Sequence, residues 1–146
     1  MQKVFEKMKN IIKLIRPKHY IKNFLIFLPL FFSGELNNIN KVCVSILGFI
    51  SFCLLASVVY VINDLKDIEN DKLNPTKKDR PLASGKIKKK EAIIISLILL
   101  FLMCFINIVN LKLEYISKNQ FILSISLEIL YLVLNILYSF GLKNVP

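Results

Sequence analysis

A chain of 146 residues that is 55% hydrophobic, with no Trp and only 4 Gly, is too apolar for an ordinary soluble domain. Its net charge of +10 reads in so apolar a chain as the positive-inside bias of a membrane protein, not as a nucleic-acid footprint. Cys43, Cys53 and Cys104 all lie within apolar runs, which excludes a disulfide framework and gives no metal-ligand spacing.

In chain order, residues 1–20 mix Lys with apolar residues. Val4, Met8, Ile11, Ile12 and Ile15 follow helical spacing, so an amphipathic helix on an anionic membrane surface is expected. The charged region is too long for a cleaved signal peptide, and Ser33-Gly34-Glu35 is a poor cleavage site. A first span is expected over about 20–36, interrupted by Pro29, with Lys22 reaching the interface. Three more follow, over about 42–62, 92–109 and 121–140. The last carries Ser124, Ser126, Glu128, Asn135 and Ser139, which should face protein or a cavity. Glu128 is expected to be a packed, hydrogen-bonded residue of its span and not a catalyst. His19, the single histidine, has no Cys, His or Asp partner near it in sequence.

Charge sets the expected topology. Seven Lys and Arg precede the second half of span one, nine lie in the loop 63–91 and one follows span four, 17 of the 20 present. Placing these segments in the cytoplasm makes 34–41 and 110–120 short external loops, in a multi-pass protein of the cell (inner) membrane. Lys86 to Lys90 form a membrane-surface flank.

The apolar run 42–62 delivers the chain to Asn63-Asp64-x-x-Asp67-x-x-x-Asp71. At about 100° per residue, Asp67, Asp71 and Asp64 fall near 40°, 80° and 100° from Asn63, so all four fit one side of a helix. Glu69, near 240°, points away. Acidic runs are usually solvated surface, and the spacing is wrong for an EF-hand. This one, however, stands at the mouth of a span with the basic loop Pro75-Thr76-Lys77-Lys78-Asp79-Arg80-Pro81 directly after it. Crowded carboxylates repel unless a cation sits among them. Mg²⁺ takes such oxygen ligands and keeps positions open for substrate phosphates, which the basic loop could hold.

With that motif and Asp79-Arg80-Pro81-Leu82-Ala83-Ser84-Gly85 after it, the chain resembles the UbiA superfamily of membrane prenyltransferases. Arg16-Pro17-Lys18-His19-Tyr20-Ile21-Lys22-Asn23, Asn74-Pro75-Thr76-Lys77-Lys78 and Tyr138-Ser139-Phe140-Gly141-Leu142-Lys143-Asn144 resemble the decaprenyl-phosphate phosphoribosyltransferase branch. The resemblance implies an all-α integral membrane protein, with about four transmembrane helices as an incomplete half of a nine-helix bundle. It also implies a second Asp-rich motif beyond Pro146, supplied by a continuation of the chain or by a second chain.

The implied reaction moves 5-phosphoribose from phosphoribosyl pyrophosphate to a polyprenyl phosphate for cell-wall synthesis. Asn63, Asp67 and Asp71 would hold Mg²⁺, with Asn63 and Asp67 central to catalysis. Asp64 would ligate the metal or orient its ligands. Lys77 and Arg80 would clamp phosphate oxygens. Lys22 would reach a substrate phosphate or serve as an interfacial anchor. Tyr60, one turn before Asn63, would touch substrate or, like Tyr138, belong to the interfacial belt. The alternatives are prenyl transfer from a prenyl diphosphate to an aromatic or glycerol-phosphate acceptor, and a membrane fragment inactive without its other half.

Overall fold

The computed structural model describes residues 1–141, and those residues form helices and turns only. Leu142 to Asn144, the end of one resemblance segment, lie outside the described residues. Helix α1 (Gln2–Ile15) ends at Arg16, whose φ of 53° and ψ of 55° are left-handed. Pro17 then opens a 3-10 helix, Pro17–Phe27. It continues into α2 (Leu28–Phe32), and a short 3-10 turn, Glu35–Asn37, leads to α3 (Ile39–Lys66). Next come α4 (Ile68–Leu73), α5 (Lys89–Lys112) and α6 (Lys118–Phe140).

Three of these, α3, α5 and α6, are long and apolar enough to cross a membrane. This differs from the four spans expected. The segment 20–36 is not one α-helix but the end of the 3-10 helix followed by five α-helical residues. Its own composition accounts for this. Arg16 and Pro17 fix the entry, Pro29 removes a backbone donor, and Gly34 ends the segment at φ 70°. A 3-10 helix rises about 2.0 Å per residue, so Pro17–Phe27 and α2 together cover roughly 30 Å, near the thickness of a bilayer core.

The contacts of α3 fix how the other segments run. The 3-10 helix lies antiparallel to it. Tyr20 shares a 2.6 Å hydrogen bond with Ser57, Asn23 donates to Cys53 Sγ at 3.3 Å, and Phe24 and Phe27 meet Phe49. Helix α5 is also antiparallel, with Ala92 in the cluster around Val61 and Asn107 donating to Ser51. Helix α6 runs parallel, since Ser51 meets Glu128, Phe52 meets Tyr131, and Ser139 meets Asn63. One end of the bundle therefore gathers α1, the motif, the loop after it and the end of α6. The turns at 34–38 and 113–117 lie at the other end.

The tightest packing is at the motif end. Leu14, Val61, Ile68, Leu82, Ile87 and Ala92 form one buried cluster that ties α1, α3, α4, the 74–88 loop and α5 together. Each Leu, Ile or Val side chain among them that is removed from water contributes about 1.5–3 kcal/mol. Lys7 bonds to Glu91 at 2.7 Å and Lys13 to the Asp79 carbonyl at 2.9 Å, so α1 is docked on the loop. It still leaves Val4, Phe5, Met8 and Ile12 exposed, the apolar stripe of an interfacial helix. On α5, Ile94, Leu97, Ile98, Phe101 and Phe105 are exposed, as lipid-facing positions are.

Candidate active site

Residues at the end of α3 open into a polar cavity of about 180 Å³. Its acidic and amide wall is Asn63, Asp64 and Asp67, and its basic wall is Arg16, Lys77 and Arg80. Tyr60, Tyr138 and Ser139 complete it. The basic loop is shaped locally. Asn74 Oδ1 accepts from the Thr76 amide at 3.0 Å and from its hydroxyl at 2.8 Å. The Asn74 carbonyl accepts the amides of Lys77 and Lys78, and the Lys77 carbonyl accepts the Arg80 amide at 2.9 Å. This Asx turn brings Lys77 and Arg80 to the cavity. Gly85 closes the loop at φ +72°, a conformation that favours glycine.

Asp64 is 2% exposed. Its Oδ1 accepts from Arg16 and, at 3.1 Å, from Arg80. The same Arg80 nitrogen reaches Asp71 Oδ2 at 2.7 Å. Arg80 thus joins two buried carboxylates, and Arg16 adds a second cation over the face of Tyr60, 5.2 Å from the ring centre. Asp64 Oδ2 is buried with no hydrogen-bond partner among the described residues. Asn63 Oδ1 accepts from Ser139.

The expected residues therefore separate. Asn63, Asp64, Asp67, Tyr60, Lys77 and Arg80 come together at one cavity. Asp71 is buried behind it, held by Arg80. The helical path bends at Asp67 (φ −90°, ψ 10°) before α4 begins, and Arg80 pairs with Asp71 at 2.7 Å. Lys22 is exposed on the 3-10 helix and does not line the cavity. Glu69 is exposed and pairs with Lys72 at 2.9 Å, outside the cavity. Arg16 and Tyr138 join the cavity without a site role foreseen for them, and Ser139 faces it as a polar residue of its span. Their signal in the sequence was membership of the two resemblance segments.

Asn63, Asp64 and Asp67 line the cavity with amide and carboxylate oxygens, the donor type a hard cation takes, and Asp64 Oδ2 is a buried acceptor with no partner among the described residues. Among the described residues no three His, Cys, Asp or Glu side chains gather to hold a metal by themselves. Such a cation would thus share its coordination with a ligand.

The profile of the UbiA prenyltransferase family matches residues 24–146. The chain belongs to the UbiA family. It is 34% identical over 132 residues to the uncharacterized protein y4nM of Sinorhizobium fredii, covering 90% of the chain and 23% of that protein. It is 29% identical over 139 residues to a decaprenyl-phosphate phosphoribosyltransferase of Corynebacterium glutamicum, covering 94% of the chain and 40% of the enzyme. Over 72 residues it is 39% identical to a digeranylgeranylglyceryl phosphate synthase of Methanococcus aeolicus, covering 44% of the chain and 25% of the synthase. The matched part of the chain thus spans less than half the length of each of these relatives. No solved structure matches it.

Proposed function

We propose that this UbiA-family chain carries the diphosphate-binding site of a membrane transferase that moves 5-phosphoribose from phosphoribosyl pyrophosphate to a polyprenyl phosphate. The observation that carries the reading is the single cavity in which Asn63, Asp64 and Asp67 face Arg16, Lys77 and Arg80. The phosphoribosyl assignment rests on similarity across 94% of the chain to the Corynebacterium enzyme. The match to the digeranylgeranylglyceryl phosphate synthase, over 44% of the chain, supports the second reading, in which the same site takes a prenyl diphosphate.

In the reaction the bond from the ribose anomeric carbon to the pyrophosphate oxygen breaks, and a bond to an acceptor phosphate oxygen forms. Mg²⁺ held by Asn63, Asp64 and Asp67 would supply charge stabilisation for the departing pyrophosphate. Lys77 and the free donors of Arg80 bind phosphate oxygens, Arg as a planar fork and Lys as a point charge. Arg16 keeps Asp64 Oδ1 engaged, so that Oδ2 is the oxygen left to the ligand. Asp71 orients Arg80. Ser139 holds the Asn63 amide with its oxygen fixed.

The donor is decided by transfer. Membranes containing the full-length protein are given labelled phosphoribosyl pyrophosphate, polyprenyl phosphate and Mg²⁺, and the label should enter the lipid fraction. Prenylation of an aromatic or glycerol-phosphate acceptor from a prenyl diphosphate, with no lipid-linked ribose, would move the assignment to the second reading.

We read the cavity end as cytoplasmic, because the basic residues of α1 and of 63–91 gather at that end and a positive-inside bias favours it. In a background without native cysteines, a cysteine at Asn74 should be blocked only by reagents that enter the cell, and one at Asn37 by impermeant ones. Labelling of the Asn74 probe from outside would overturn this topology.

A further inference from the structure

Cys53, Ser57, Tyr60 and Asp64 all belong to α3. At about 100° per residue they fall within about 60° of one another, on one face of that helix. All four touch the segment that joins α1 to the 3-10 helix. Asn23 donates to Cys53 Sγ, Tyr20 meets Ser57, and the His19 and Tyr60 rings lie 5.3 Å apart, inclined at 49°. Ser57 is fully buried. Its Oγ donates to the carbonyl of Ile15, the residue before Arg16, at 3.0 Å, and shares that proton with the Cys53 carbonyl. Arg16 itself bonds to Asp64 Oδ1 and lies over the Tyr60 ring, 5.2 Å from its centre.

The backbone held in this way is an unfavourable one. Arg16 has φ 53° and ψ 55°, a left-handed conformation disfavoured in residues that carry a Cβ. Among the described residues other than glycine, Glu114 alone shares a positive φ with it. Local bonds shape the turn. The Arg16 amide donates to the Ile12 carbonyl at 3.2 Å, and the Arg16 carbonyl accepts the His19 amide at 3.0 Å. Pro17 keeps α1 from running on.

None of this explains an arginine where glycine or asparagine fits with less strain. The side chain does. Arg16 lines the polar cavity with Lys77 and Arg80. Its guanidinium reaches there from the far side of the turn, and strained backbone that its surroundings hold in place is characteristic of binding sites.

We propose that Ser57 and Tyr60 are positioning residues of the diphosphate site. Ser57 anchors the backbone before Arg16, and Tyr60 supports its guanidinium. The left-handed turn thereby keeps a fixed positive charge in the cavity wall, where the diphosphate binds. This inference rests on the proposed function and adds to it two residues that act through Arg16.

Calorimetric titration of pyrophosphate with Mg²⁺ into the purified full-length protein tests it. Tyr60→Leu removes the support and should weaken binding about fivefold or more, the order of a partly desolvated cation–π contact. Tyr60→Phe keeps the ring and should bind like the parent. Ser57→Ala, a smaller change, should weaken binding in the same direction. In an Arg16→Gln background, itself a weaker binder, neither Tyr60→Leu nor Ser57→Ala should cost anything further, because no guanidinium is left to position. Losses of equal size with and without Arg16 would make the two residues general supports of the fold and overturn the proposal. So would Tyr60→Phe binding as weakly as Tyr60→Leu, which would give the hydroxyl to the ligand, or Tyr60→Leu and Ser57→Ala both binding as tightly as the parent. A parent that binds no pyrophosphate would instead refute the diphosphate site, and this inference with it.

Discussion

Asp67→Asn in the full-length enzyme should lower transfer by at least about two orders of magnitude while leaving the fold intact. The exchange keeps the size of the side chain and removes one of two carboxylates on the cavity wall. Stabilisation of leaving-group charge by a bound cation is worth several kcal/mol, and each 1.36 kcal/mol is about a factor of ten in rate. Glu69→Gln is the matched control. Glu69 is exposed and pairs with Lys72, an interaction worth about 0–1 kcal/mol, so that variant should work at close to the normal rate. Equal activity of the two variants would remove Asp67 from the site.

Arg80→Ala should be the most destabilising substitution at this end of the molecule, by about 3–5 kcal/mol, because it strips a partner from two buried carboxylates at once. Asp64 would keep Arg16, and Asp71 would lose its ion pair with Arg80. Arg80→Lys should recover only part of the loss, since one ammonium lacks the fork that spans both acids. The double variant Arg80→Ala, Asp71→Asn should be more stable than the two single losses added together, because it removes a charge that would otherwise be left unpaired. Thermal melting of the purified variants reads all three. A melting midpoint for Arg80→Ala near that of the parent would show that the network carries little stability.

Much of the site was legible because it is local. Asn63, Asp64 and Asp67 lie within five residues of the end of one long apolar run, and helical periodicity alone groups them. Lys77 and Arg80 follow in a loop whose Asn-Pro-Thr start signals a turn. Asp71 shows where periodicity stops working. The 100° rule holds only along an unbroken helix, and the path bends at Asp67. An arginine nine residues on then captured the carboxylate. The partners of Arg16 and Ser139 were illegible for a different reason. The two residues reach the site across 48 and 76 residues of sequence, and no local pattern encodes such contacts. The helix type of the first span was hidden in a third way. Its composition is apolar enough for a helix, but 3-10 geometry has no 3.6-residue signature. Its packing is instead written in the pairs Tyr20–Ser57 and Asn23–Cys53.

The account's central claim, that the end of α3 forms a diphosphate site, is tested most directly by calorimetric titration of pyrophosphate into the purified protein, with and without Mg²⁺. Pyrophosphate is the leaving group whichever donor the enzyme uses, so the result does not depend on that choice. Binding should require Mg²⁺ and weaken at least about tenfold in both Asp67→Asn and Lys77→Ala, the equivalent of about 1.4 kcal/mol each. Pyrophosphate binding that ignores Mg²⁺, or that is unchanged in both variants, would contradict it.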